Sequence, residues 1–192
     1  MFNAYVGPVI EGYVARLEKT LHDAGLRQKL LIVQANGGVA TTAQTVPIFT
    51  IESGPAAGVV GAAEIAATLG MPNVIATDVG GTTFKVAIIE DGRWGYSRET
   101  ILNQYQLRLP MIDVASIGAG GGSIAWVDGR RLRIGPQSAS ASPGPACYGL
   151  GGEEPTVTDA DLVLGYLSAD RFLGGRMALH PERAAEAIRR RV

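Results

Sequence analysis

Apolar positions near the start of the chain recur every three or four residues: Val6, Val9 and Ile10, Tyr13 and Val14, Leu17, Leu21. That spacing predicts an amphipathic helix over residues 3–24, with Gly25 as its stop. The pattern then changes. KLLIVQ (29–34) is a short continuous apolar run that reads as a buried strand, and ANGG turns the chain after it. Ser53 precedes Gly54-Pro55 and AAGVVGAAEIAATLG. A serine cap, an early proline and a closing glycine bracket a helix of about 16 residues. Its Ala and Gly content suits close packing on a neighbour.

NVIATD (73–78) is a second buried-strand candidate, followed by a Gly-Gly turn and FKVAIIE. Asp91-Gly92 separates that run from RWGYSRET, and Asp128-Gly129 separates SIAWV from RRLRI. Asp-Gly between β-prone runs predicts a hairpin at each place. Residues 135–157 are dense in Gly, Pro and Ser and read as loop. Few charges and a Cys-Tyr pair favour an ordered functional loop over a flexible spacer. TDADLVLGYLS is helical in character, and PERAAEAIRRRV opens a helix that meets no stop signal. The expectation is a piece of something longer. Helices, apolar strands and hairpins together indicate the α/β class, and no repeat of 20–50 residues is apparent.

Composition narrows the classes. The chain's 192 residues suffice for one sizeable core, which suggests one domain, or two. With 17 Lys and Arg against 18 Asp and Glu, no global field attracts nucleic acid or an anionic membrane. No apolar run approaches the ~20 residues that span a bilayer, and the start lacks the pattern of a secretory signal. The lone Cys147 cannot form an internal disulfide, which fits a reducing cytoplasm. His22 and His180 lie far apart, leaving little for a zinc site or a serine triad. The 26 glycines are clustered and exceed an average share of about 7%. Clustered glycine between apolar segments implies tight turns or close approach of the backbone to something.

Two clusters carry the chemistry. In IATDVGGTTF (75–84) a strand ends in Asp78 and a Gly80-Gly81 turn leads to Thr82 and Thr83. Such a bend turns consecutive N–H groups inward and binds anions, with glycine leaving the approach clear. The threonine hydroxyls add donors, Lys85 can neutralise phosphate charge, and Asp78 suits Mg²⁺, its waters, or orientation of a nucleophile. The plain alternative is a hairpin corner. GAGGGS (118–123) nearly matches GxGxxG, but Ser123 closes it and no long helix follows. A flexible turn between strands is its alternative. No Walker A loop occurs.

Five segments carry a resemblance: SGPAAGVVGA (53–62), ATDVGGTTFKVAI (76–88), IGAGGGSIAWVD (117–128), PGPACYGLGG (143–152) and PTVTDADLVLG (155–165). In order and spacing the chain resembles the hydantoinase A/5-oxoprolinase family over nearly its whole length. The resemblance implies an actin-like ATPase fold, in which two ribonuclease-H-like halves close on ATP, with this chain as a single partial domain over 1–192. An amino-terminal half and a carboxy-terminal remainder would be absent, and Met1 would fall inside the family's chain. It further implies ATP and Mg²⁺ as cofactors, a small-molecule substrate, and a second, hydantoinase B-type subunit in an oligomer.

Carried over by position, Asp78, Gly80, Gly81, Thr82 and Thr83 match the family's phosphate loop. Gly118, Gly120, Gly121, Gly122 and Ser123 match its second glycine loop, which would contact nucleotide. One departure stands out: many members follow the threonines with an acidic residue, whereas this chain has Phe84-Lys85. That exchanges a metal-orienting carboxylate for a cation and leans towards the carboxylase-like branch.

Other candidates read more plainly as structure. Cys147 has no histidine near it in sequence and suits a small buried residue. Asp159 and Asp161 can be metal or substrate ligands, but Thr158 and Asp159 also suit a helix start. Arg189–Arg191 read as a solvated helix face. The reading taken is part of an ATP-dependent hydrolase that opens a cyclic amide of the hydantoin or 5-oxoproline type through phosphorylation of the substrate oxygen. An ATP-dependent ketone carboxylase subunit and a silent assembly module are the alternatives.

Overall fold

The computed structural model describes residues 2–97, 100–102 and 104–192. Contacts cluster into two compact units, residues 1–76 with 86–115 and residues 77–85 with 116–192.

In the first unit, α1 (Phe2–Asp23) carries the predicted stripe, with Val6, Ile10, Val14, Leu17 and Leu21 half-buried. Val9 and Tyr13 are exposed, so the stripe is narrower than the sequence implies. Gly25, at φ +101°, ends the segment where only glycine is comfortable. The run 29–34 forms β1 (Leu31–Val33), which is not buried as expected, Leu31 being exposed and Ile32 and Val33 half-buried. It pairs antiparallel with β2 (Val39–Thr41), Leu31 opposite Thr41. Between them Gly37 adopts φ +82°.

The Ala/Gly-rich segment is α2 (Ser53–Thr68), 16 residues long. Ser53 is not its cap. Glu52 holds that position in the left-handed region, φ +55°, with no side-chain cap bond, and Ser53 is already helical. Ala56, Val59 and Ala63 of α2 pack with Ala87, Ile89 and Ile112 in this unit's core. The small residues let the helix lie close to its neighbours.

Strands β3 (Val74–Val79), β4 (Phe84–Glu90) and β5 (Arg93–Trp94) follow, and β3 is not buried as expected, Ile75 and Val79 being exposed and Val74 and Ala76 half-buried. The Asp91-Gly92 hairpin forms as expected: Ile89 faces Trp94, Glu90 faces Arg93, and both turn residues have positive φ, 49° and 71°. Such a turn matches the twist of its strands. The rest of that run gives β6 (Tyr96–Ser97), while Arg98 and Glu99 lie outside the described residues. Strands β7 (Thr100–Leu102), β8 (Tyr105–Leu107), β9 (Met111–Ile112) and β10 (Ala115–Ile117) complete the sequence to 117, with β6 pairing β9 and β7 pairing β8. The sheet order β10-β4-β3 has β5 beside β4. The division between the units falls within β3, β4 and β10.

In the second unit, β11 (Ser123–Asp128) and β12 (Arg131–Ser138) form the second hairpin. Asp128 pairs with Arg131, so the turn is Gly129-Arg130, one residue beyond the Asp-Gly step, with Gly129 at φ +61°. The expected loop from 135 begins later, because β12 continues to Ser138. Next come α3 (Val157–Val163) and α4 (Pro181–Arg191). Cys147, Leu162, Leu179 and Ala184 form the core here, with Tyr148, Leu167, Phe172 and Met177 packed against it. The terminal arginines lie on an exposed face as expected, Arg190 and Arg191 pairing with Glu153 and Glu154. Among the described residues, no helix is long and apolar enough to cross a membrane.

Candidate functional site

Both glycine clusters fall in the second unit and are joined backbone to backbone. Gly121 N–H donates to Gly80 O at 2.9 Å and Gly122 N–H to Gly81 O at 2.7 Å. Ser123, fully buried, accepts from Gly120 N at 3.0 Å, and its hydroxyl lies 3.5 Å from Thr82 O and 3.4 Å from Gly118 O. Loops some forty residues apart are thus one structure.

The glycines of the two loops do different work. A Cβ on Gly120 would lie 2.5 Å from both Gly80 O and Thr83 N, backbone atoms that no side-chain rotation can clear. On Gly122 it would lie 2.9 Å from Gly81 O, and on Gly121 2.9 Å from Thr158 Oγ1. These three are glycine because the second loop packs on the first and on α3. Gly118 is less confined, its nearest neighbour being Pro136 at 3.8 Å. In the first loop, a Cβ on Gly80 would make only ordinary contact, and one on Gly81 would meet nothing within 4 Å. Neither has positive φ. Packing inside the protein therefore does not explain the Gly80-Gly81 pair.

The donors of the first loop point the same way. Gly80 N–H closes the turn on Thr83 O at 2.9 Å. Among the described residues, no acceptor is seen for the N–H groups of Gly81, Thr82 and Thr83 or for the two threonine hydroxyls. Consecutive N–H groups without partners in a bend form an anion-binding concavity. Of these residues Gly81 and Thr82 line a cavity of about 720 Å³, together with Gly80, Gly121, Gly122 and Thr158, among others. Its wall continues through Ser140, Pro145, Tyr148, Asp161, Leu167 and Phe172. A phosphate fills only a small part of such a volume, and the apolar wall suits a larger organic body. The open donors and the bare Gly81 therefore fit a di- or triphosphate.

The segment after β12 is ordered by one buried carboxylate. Asp159, with no exposed surface, accepts from the N–H groups of Cys147 at 2.7 Å, Thr156 at 2.8 Å and Ala146 at 3.3 Å, and from Thr156 Oγ1 at 2.8 Å. With Thr156 it forms a capping box at the start of α3. Asp159 is thus a structural residue, and the cap is Thr156, not Thr158. Thr158 docks α3 on the glycine loop, both its N–H and its hydroxyl reaching Gly121 O at 2.8 Å. Nothing in the spacing of the sequence announced that contact, nor the place of Asp161, Tyr148 and Phe172 in the cavity wall.

Of the other expected site residues, Asp78 is exposed near the end of β3 and Lys85 half-buried at the start of β4. Neither, nor Thr83, Gly118, Gly120 or Ser123, lines the cavity. No group of three or more His, Cys, Asp or Glu that could hold a metal ion occurs among the described residues. The fit for Mg²⁺ is to a metal carried by phosphate oxygens and one or two carboxylates. Cys147 is fully buried; burial, then its hydrogen bond to Asp159 and that carboxylate's charge, push its thiol pKa far up. The thiolate is the reactive form, so iodoacetamide at pH 8 should leave Cys147 unmodified in the folded chain and alkylate it after unfolding. Stability should also fall as pH rises past the ordinary thiol range, since the unfolded chain gives up that proton first.

Comparison with known proteins agrees with this architecture. The sequence pattern described as hydantoinase/oxoprolinase matches residues 1–191. Caprolactamase subunit alpha of Pseudomonas jessenii is 42% identical over 99% of this chain, which spans 28% of that relative. The acetophenone carboxylase gamma subunit of Aromatoleum aromaticum is 41% identical, and the chain spans 27% of it. Nucleotide-free acetone carboxylase, solved in a study of ATP-dependent acetone carboxylation, superposes with a TM-score of 0.78 at 32% identity, over 93% of this chain and 25% of that one. The mixed α/β architecture is consistent with a half-domain of an actin-like ATPase. The chain spans little more than a quarter of these relatives, and with a match over nearly its whole length it belongs to the hydantoinase/oxoprolinase family.

Proposed function

We propose that this chain carries part of the nucleotide site of a cytoplasmic ATP-dependent hydrolase that opens a cyclic amide of the hydantoin or 5-oxoproline type. The carrying observation is the run of N–H groups at Gly81, Thr82 and Thr83 that meet no acceptor among the described residues, beside a glycine that no internal contact requires. Those groups would bind phosphate oxygens, with the Thr82 and Thr83 hydroxyls adding donors. Asp78 would hold Mg²⁺ or its waters, and Lys85 would offset phosphate charge. The second loop, from Gly118 to Ser123, holds the first in shape: Gly120, Gly121 and Gly122 allow the contact and Ser123 ties it.

ATP, when bound, would supply a phosphoryl group to the amide oxygen and leave as ADP, which would make the carbonyl carbon open to water; the ring C–N bond would then break with the nitrogen taking a proton, and phosphate would be released. The parts expected to complete the enzyme are the remainder of the same subunit and a hydantoinase B-type subunit in an oligomer, so this chain alone should turn over no substrate. A ketone carboxylase subunit is the second reading. It draws on Phe84-Lys85 after the threonines, where an acidic residue is common in the family, and on the identity to the acetophenone carboxylase subunit. In a complete enzyme, dependence on bicarbonate would select carboxylation, and ring opening without bicarbonate would select hydrolysis.

Isothermal titration of Mg-ATP and Mg-ADP into this chain, repeated with Asp78→Ala, tests the site. Weak binding that disappears in the variant is the expected result. Unchanged affinity in both Asp78→Ala and Gly81→Val would remove the assignment.

A further inference from the structure

Two aspartates stand close together on α3, and the structure gives them opposite surroundings. Asp159 is turned inward and its carboxylate is occupied by the four donors of Ala146, Cys147 and Thr156. Asp161 is half-buried and lines the same cavity as Gly80, Gly81 and Thr82. No hydrogen bond or ion pair engages its carboxylate among the described residues. It lies three residues after Thr158, so the two share one face of the helix. Thr158 is bonded to Gly121 O, and Gly121 N–H in turn to Gly80 O. Asp161 therefore shares a cavity with that loop, and its helix is tied to the loop through Thr158 and Gly121.

A bare carboxylate beside a site built for phosphate is unfavourable unless a cation stands between them. Mg²⁺ meets that need: it keeps several waters and is held by one or two carboxylates together with phosphate oxygens. We propose that Asp161 is a second carboxylate, beside the Asp78 of the proposed site, that holds the hydrated divalent cation of a bound di- or triphosphate from the cavity wall. This rests on the phosphate reading of the Gly81–Thr83 donors. Asp161 makes binding there depend on the metal, because without a cation its charge opposes the anion.

The test is calorimetric binding of inorganic tripolyphosphate and of ADP to the 192-residue chain, each with Mg²⁺ and with EDTA, for the natural sequence and Asp161→Asn. Mn²⁺ electron paramagnetic resonance provides a second readout. In the natural chain Mg²⁺ should tighten binding at least tenfold. In Asp161→Asn that gain should fall several-fold, to what Asp78 alone supplies, metal-free binding should be as tight or tighter, and the Mn²⁺ signal should differ from that of the natural chain. An undiminished Mg²⁺ gain and an unchanged Mn²⁺ signal in Asp161→Asn would overturn the role of Asp161 while leaving the cradle intact. Absence of binding by the natural chain under both conditions would overturn the phosphate reading and this inference with it. Circular dichroism of the variant separates either result from misfolding, and Asp161→Glu, which keeps the charge, should retain part of the Mg²⁺ gain.

Discussion

Gly120→Ala is expected to destabilise the chain severely, while Gly81→Ala leaves stability nearly unchanged. The added methyl at 120 would sit 2.5 Å from Gly80 O and Thr83 N. Both are backbone atoms of a loop that the bonds from Gly121 to Gly80 O and from Gly122 to Gly81 O already hold in place. Overpacking a tight site costs about 1–3 kcal/mol, and more where the backbone must move. The upper end or beyond applies here, because relief means parting the two loops. At 81 the methyl meets nothing within 4 Å, and substitutions of that kind usually stay within about 0.5 kcal/mol. What Gly81→Ala should lose is affinity for tripolyphosphate, since the methyl stands where the anion would come. Urea midpoints at constant slope measure the first difference and calorimetry the second. Equal midpoints for the two variants would show that the second loop's glycines are not there for packing.

Asp159→Ala is the second large effect. Removing the carboxylate leaves the N–H groups of Ala146, Cys147 and Thr156 without their acceptor in a closed interior, and Thr156 loses its partner in the capping box. Leaving one buried donor unpaired costs about 1–3 kcal/mol, and a lost helix cap about 1 kcal/mol. A total loss of about 3–5 kcal/mol is expected, near the range for removing one member of a buried charged network. Against a typical domain stability of about 5–15 kcal/mol, the second unit should become marginal. The loop carrying Pro145 and Tyr148 would then release the cavity wall it provides. Denaturant unfolding gives the stability, and alkylation of Cys147 in the native variant reports the loosening of the loop. An Asp159→Ala chain with the original midpoint and an unreactive thiol would show that this carboxylate is dispensable.

The two glycine loops mark how far the sequence could be read. IATDVGGTTF and IGAGGGSIA were both visible as places where a backbone comes close to something, since glycine clusters between apolar runs have few other uses. What each comes close to was not visible. Gly120 meets Gly80 and Thr83, and a contact across forty residues leaves no periodic trace in either segment. The same holds for Asp159, whose capping box with Thr156 is local and legible, while its bonds to Ala146 and Cys147 are not. For α2 the reading placed the length correctly and the cap wrongly. Ser53 has the residue type for a cap, but the chain enters the helix through Glu52 at φ +55°, a geometry set by the turn before it.

By itself the sequence determined the local elements: the stripe of α1, the small-residue helix α2, the apolar strands and the two hairpins. Each follows from side-chain period or from turn residues within a few positions of one another. It also determined the family, because five motifs stand in order along the chain. Only the tertiary structure decided which glycines pack and which stay open, which of two neighbouring aspartates is buried in hydrogen bonds and which faces the cavity. The physical reason is that burial and hydrogen-bond partners at these positions come from segments far apart in sequence. Composition and spacing constrain each segment separately, whereas the pairing of Gly121 with Gly80 and of Thr158 with Gly121 exists only once the chain has folded.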